Sequence, residues 1–216
     1  MSRPLLFVAA LLAMVLGVAG WRTVRRPAAE ALFEPASAPP EAAALCPWRD
    51  PEGDLKAFFP GATGYRVETR VLSGLRLELS QRLGRAPRPD ENALHLWRIY
   101  RQHKLLGTVS TKRVKGQYGA IELVLAADPE GRVCGLRLQR LREPPAVARA
   151  LDNPVWLSAF KEMQEGGPWK VGAGLPAVAP EADASAQAVA QGTRSLLILI
   201  ETAEGAPSSL NGRSHH

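Results

Sequence analysis

The sequence predicts an α+β domain: an antiparallel meander of strands with helices packed on it, preceded by a hydrophobic amino-terminal helix. Three observations predict it. Four consecutive segments between Leu94 and Leu141 are strand-like, the last two alternating apolar and polar residues. Short turns join them, which favours antiparallel neighbours. Helical patterns follow the strands instead of alternating with them, which separates α+β from α/β.

The chain has 216 residues, 46% hydrophobic and 22% charged, with a net charge of +6. Aromatics make up only 6%, so the core is built mostly from Leu, Val, Ala and Ile. Residues 1–26 read as a signal anchor or a signal peptide. The run from Pro4 to Trp21 is nearly unbroken in apolar residues, and as a helix it rises about 27 Å, enough to cross a hydrocarbon core. Val18-Ala19-Gly20 also fits a small-residue cleavage site. Arg22, Arg25 and Arg26 oppose export, because positive flanks prefer the cytoplasm. The position of the run at the extreme amino terminus favours export. The expected location is membrane-anchored through residues 4–21, facing the periplasm or cell exterior, or secreted to the periplasm after cleavage. Residues 27–53 are a Pro/Ala-rich tether in which no hydrophobic period holds.

The domain is expected over residues 54–203. Asp54 to Pro60 forms a short helix ended by the proline. Tyr65–Val71 alternates as a strand, Leu72–Gly84 is open between helix and strand, and residues 85–92 form a loop. Leu94–Gln102, Leu105–Thr111, Tyr118–Ala127 and Arg132–Leu141 follow as strands. Asp128-Pro-Glu-Gly131 is a turn: the proline presets φ and the glycine supplies a positive one. Asn153-Pro154 starts a helix running to about Glu165, with Val155, Trp156, Ala159, Phe160 and Met163 as its buried stripe. A last helix spans about Asp183 to Thr202. Residues 204–216 form a Gly/Ser-rich tail.

The chemistry is bounded mainly by what is missing from the sequence. Cys46 and Cys134 stand without a CxxC or His/Cys cluster, so no metal site is expected. They pair as a disulfide or remain two thiols. No phosphate-binding glycine loop occurs, and His95 and His103 have no partner at a suggestive spacing. The cations from His95 to Lys115 (Arg98, Arg101, Lys104, Lys112, Arg113 and Lys115) read as outward-pointing residues of a solvated hairpin, or as a face meeting an acidic partner. No nucleic-acid partner is expected. Trp156 and Trp169 read as packing residues.

The order of several short pieces resembles the FMN-binding-domain family of exported flavoproteins, which includes flavin subunits of membrane electron-transfer complexes. The pieces are Leu55-Lys-Ala-Phe-Phe-Pro60 before a strand, Lys104-Leu-Leu-Gly-Thr-Val109 with Gly107 retained, the hairpin of Tyr118–Val124 and Asp128–Val133, and Arg142-Glu-Pro-Pro145 followed by Trp156-Leu-Ser-Ala-Phe160. The resemblance implies the fold, a place in a membrane-associated redox system with partner proteins, and Gly107, Glu143 and Pro144 near a flavin. It also implies covalent FMN on a threonine just before the last helix. Here that position is Asp183, which has no hydroxyl, and Glu181 stands where the family has glycine. Gly61-Ala62-Thr63 spells the right residues in the wrong place, with no helix after it. Ser185 is turned about 200° from Asp183 on a helix. The expectation is therefore an accessory or electron-transfer subunit without covalent FMN and without independent catalytic activity. The alternatives are a non-covalent flavin carrier and a periplasmic binding or scaffold module.

Overall fold

The computed structural model describes residues 51–205. The amino-terminal hydrophobic helix, most of the tether, Cys46 and the tail beyond Gly205 lie outside the described residues. The domain begins with α1 (Glu52–Phe58) and β1 (Gly64–Val71). A 3-10 turn at Ser73–Leu75 leads into α2 (Arg76–Leu83), and a second at Pro89–Glu91 precedes the next strand. Then come β2 (Ala93–Arg101), β3 (Lys104–Lys115), β4 (Ala120–Ala127) and β5 (Val133–Leu141). The last elements are α3 (Pro145–Leu151), α4 (Pro154–Ser158), a 3-10 turn at Pro180–Ala182 and α5 (Asp183–Gly205).

The strands form one five-stranded sheet in the order β1-β2-β3-β4-β5, and every pair is antiparallel. The expected meander is therefore present. One register line runs from Val67 to Trp97, Val109, Ala126 and Gly135. The period of two divides each strand between two faces. The inner face carries Leu96, Leu123, Leu125 and Val133 into the main core, beneath Leu79 of α2 and Leu196, Leu197 and Ile200 of α5. Fully burying each such side chain contributes about 1.5–3 kcal/mol. Helix α5 is buried over most of its circumference, from Ala186 to Ala203, because α2 and α3 also pack against it.

The outer face carries a smaller apolar layer of Ile99, Val109, Val124 and Ala126, covered by Leu55 and Phe59 of the α1 segment. Two glycines make this docking possible. A Cβ at Gly107 would overlap the Ala127 carbonyl and lie 2.6 Å from the Phe59 ring. A Cβ at Gly135 would lie 2.6 Å from Phe58. The expected Asp128–Gly131 turn is present, with Gly131 at φ +75°.

One open segment resolves and one expectation changes. Leu72–Gly84, open between helix and strand, is a 3-10 turn and a helix, with Gly84 closing α2 at φ 69°. The single helix expected from Asn153 to Glu165 is instead the short α4, and the preceding α3 had no counterpart in the sequence reading. The chain leaves helical geometry where Glu162 takes φ 63°. There the Glu162 amide donates to the Val133 carbonyl at 2.8 Å, and the Val133 amide donates to Met163 at 2.9 Å. These bonds satisfy edge groups of β5 that a continued helix would leave bare. Trp156 and Phe160 still meet edge to face, 5.0 Å apart, and Trp169 packs beside Phe160, so both tryptophans are core residues as expected.

Candidate functional site

At one end of the sheet, three connections converge. They are the β3–β4 turn at residues 116–119, the β5–α3 link at residues 142–144, and the start of α5. The turn closes with the Gly116 amide donating to the Gly119 carbonyl at 2.8 Å, and the Arg142 amide donates to Ala120 at 3.0 Å. The 3-10 turn leading into α5 packs on α3, which begins just after Pro144.

Glu143 reaches this turn. Its carboxylate accepts long hydrogen bonds, each 3.4 Å, from the amides of Tyr118 and Gly119. A Cβ on Gly116 would overlap the carboxylate and displace it. The neighbouring Gln117 amide donates to Ser185 Oγ at 2.8 Å, and Ser185 is fully buried. Consecutive amides of one turn are thus held by two elements distant in sequence. Asp183 begins α5 and is exposed. Its carboxylate sits at the positive end of the helix dipole, a stabilising place for an anion. Helical geometry turns Ser185 inward and Asp183 to solvent.

The structure therefore brings Glu143, Pro144 and the Asp183 segment to one end, but not Gly107. That glycine lies near the opposite end of β3, where its role is to admit Phe59. Thr63 is followed by strand β1 and accepts a hydrogen bond from the Gln102 amide at 2.6 Å.

The residues at the turn do not fit a covalently held FMN. Asp183 offers no hydroxyl, and Ser185 Oγ is buried and committed to Gln117. Glu181 and Asp183 are both exposed acids, and like charges would repel a phosphate. The Tyr118 and Gly119 amides, which could cradle an anion, already hold Glu143.

Sequence reasoning missed two charged features. The first is a buried ion pair: Lys112 Nζ lies 2.7 Å from Glu91 Oε1, with the carboxylate side chain wholly inaccessible. Burial alone would raise the Glu91 pKa. Hydrogen bonds from Arg85, Lys112 and the Arg88 amide outweigh it and hold the group at about 2. Arg98 pairs with Glu204 and Arg113 with Glu122. The cations from His95 to Lys115 are therefore not all outward-pointing: Lys112 enters the interior, and Arg98 meets α5. The strand runs on past Thr111 to Lys115 and carries Lys112 on the inner face, and nothing in the sequence located its acid in the 85–92 loop.

The second feature lies at the other end of the sheet. A cleft of about 630 Å³ is lined by Leu105, Thr108, Asp128, Glu130, Glu165 and Glu201, among others. Arg82 pairs with both Glu165 and Glu201. Burial raises the Glu201 pKa, and Arg82 opposes it only in part. Cys134 lies on the outer face, where burial, with Asp128 and Glu162 nearby, pushes its thiol up to about 11. Among the described residues, no cluster of His, Cys, Asp and Glu is arranged to hold a metal ion.

No family model matches the chain, and no curated protein matches it. Among solved structures, the chain is similar to NqrC of Shewanella oneidensis, with a TM-score of 0.49 and 14% identity over 74% of this chain and 91% of that one.

Proposed function

We propose that this is an FMN-binding-type domain that has lost covalent flavin and serves as an accessory or electron-transfer subunit of a membrane-associated redox system. Residues 4–21 hold it to the membrane, and the domain faces the periplasm or cell exterior. One observation carries the reading. The segment that in the resembling family presents a flavin-accepting threonine here presents the exposed Asp183, while the nearby hydroxyl of Ser185 is buried and accepts from Gln117 at 2.8 Å. The end of the sheet that would receive the phosphate is used instead to hold its own turn. Support for the family comes from the order of the sequence pieces and from the convergence of Glu143, Pro144 and the start of α5.

The test is the colour and mass of the native protein. Intact mass equal to the bare polypeptide, with no visible absorbance in the acid-precipitated pellet, is the expected result. Yellow supernatant after precipitation would favour the non-covalent carrier. A mass increment of one FMN on any serine or threonine would sink the reading.

A further inference from the structure

The two edges of the sheet are treated differently. The β5 edge is bonded at Val133 by residues 162 and 163. No described strand pairs with the outer edge of β1. On that strand Tyr65, Val67 and Val71 are exposed, Val67 at 56% and Val71 at 68%, and the half-buried Trp97 lies beside Val67.

The hydrogen-bonding parity of the edge follows from its partner. The Leu72 amide donates to the Asn92 carbonyl at 2.7 Å, continuing the register of Val71 with Ala93. Bonding alternates along an antiparallel pair, so Arg66, Glu68 and Arg70 turn their peptide groups toward β2. Tyr65, Val67, Thr69 and Val71 turn theirs outward. The His95 carbonyl, opposite Thr69, agrees: it faces β3, where Ser110 donates to it at 2.8 Å.

We propose that β1 pairs antiparallel with β1 of a second copy of this chain, about a two-fold axis at Val67. The strand's midpoint lies between Val67 and Glu68. Two registers near full overlap let outward-facing residues meet. Centring on Glu68 sets Glu68 against Glu68 of the second copy and Arg66 against Arg70, so both contacts repel. Centring on Val67 sets Glu68 against Arg66 twice, in the non-hydrogen-bonded pairs where side chains come closest. It also joins Val67 to Val67 and Tyr65 to Thr69, covering two of the three exposed side chains and leaving Val71 outside the paired segment. Charge therefore favours this register, and the interface is isologous.

The test uses the full chain, purified in mild detergent because of its apolar amino-terminal run. Sedimentation over a concentration series is expected to show a twofold rise in protein mass. Arg66→Glu and Glu68→Arg should each be monomeric, the first facing acid with acid and the second base with base. Mixed together they should form a heterodimer, because every 66–68 contact is then attractive. Circular dichroism like that of the unchanged chain verifies that each variant is folded, and rescue on mixing is a readout that misfolding cannot produce. In a background lacking Cys46 and Cys134, Val67→Cys should crosslink across the axis under oxidation. Val71→Cys should not, since its copies stand eight residues of strand apart, about 27 Å. A monomer at every concentration, a dimer indifferent to the charge changes, or equal crosslinking at both positions would overturn the proposal.

Discussion

The two ends of the sheet use polar groups in opposite ways. At the β3–β4 end they are committed to the fold: the buried Ser185 holds the Gln117 amide, the half-buried Glu143 holds the next two, and farther along β3 the buried Lys112 holds Glu91. At the other end, half-exposed acids surround about 630 Å³ of open space, with Arg82 shared between Glu165 and Glu201. The segment that resembles the flavin family in sequence stands at the committed end. The difference teaches that the same turns and helix starts can hold a fold together at one end of a sheet and leave open space at the other.

The largest effect that would sharpen this contrast is expected at Glu91. Removing one member of a buried ion pair leaves the other charge uncompensated, so Glu91→Ala should cost about 3–5 kcal/mol in denaturant unfolding. Adding Lys112→Met should recover a large part of that loss. The pH response has a definite sign. The folded pKa of Glu91 is lowered from 4.5 to about 2. Its contribution is complete above the unfolded value and is lost as pH falls from 4.5 toward 2.

Next in size is Gly107→Val. The added atoms meet the Ala127 carbonyl and the Phe59 ring, and such overpacking costs about 1–3 kcal/mol. Thermal unfolding should drop by several degrees. An unchanged melting temperature would show that the Phe59 notch does not need a glycine.

Ser185→Ala comes third. It strands the Gln117 amide against a buried helix face, at a cost of about 1–2 kcal/mol. Faster hydrogen exchange at Gln117 would locate the loss.

The smallest effect belongs to the open end. Glu201→Gln should change stability by no more than about 0.5 kcal/mol at neutral pH. Its pKa is raised above 4.5 in the folded chain, so its favourable contribution is present below 4.5 and disappears as pH rises through the folded value. Glu91 and Glu201 therefore respond to acid in opposite directions. If Glu201→Gln proved more damaging than Ser185→Ala, the contrast between the ends would fail.

The sheet was legible because its signals are local. Alternation in residues 94–141 and the Asp128–Gly131 turn each need only a few neighbours to be read. The Pro154–Glu165 helix failed because its end is decided by β5: the amides and carbonyls of Val133, Glu162 and Met163 satisfy one another across some thirty residues of sequence. The α3 helix escaped notice because Pro144-Pro145 reads as a turn until Pro145 is seen at a first helical position. At the candidate site, Asp183 was singled out by the family resemblance alone. The commitment of Ser185 was not, because its partner is a backbone amide, and any residue type can supply one. Lys112 lay just past the expected strand end at Thr111, on the parity of the polar Thr108 and Ser110, and its partner Glu91 lay in a segment where alternation stops.

The docking of α1 has a mechanical consequence. The chain enters the domain through this helix, so tension applied from the residues before Pro51 reaches it before the strands. The helix is seated largely by Leu55 and by the Phe58 and Phe59 rings, which lie against Gly135 and Gly107. Pulling would extract those rings from their notches while the ladders of the sheet stayed intact, so the helix acts as a yielding link that gives way before the sheet does.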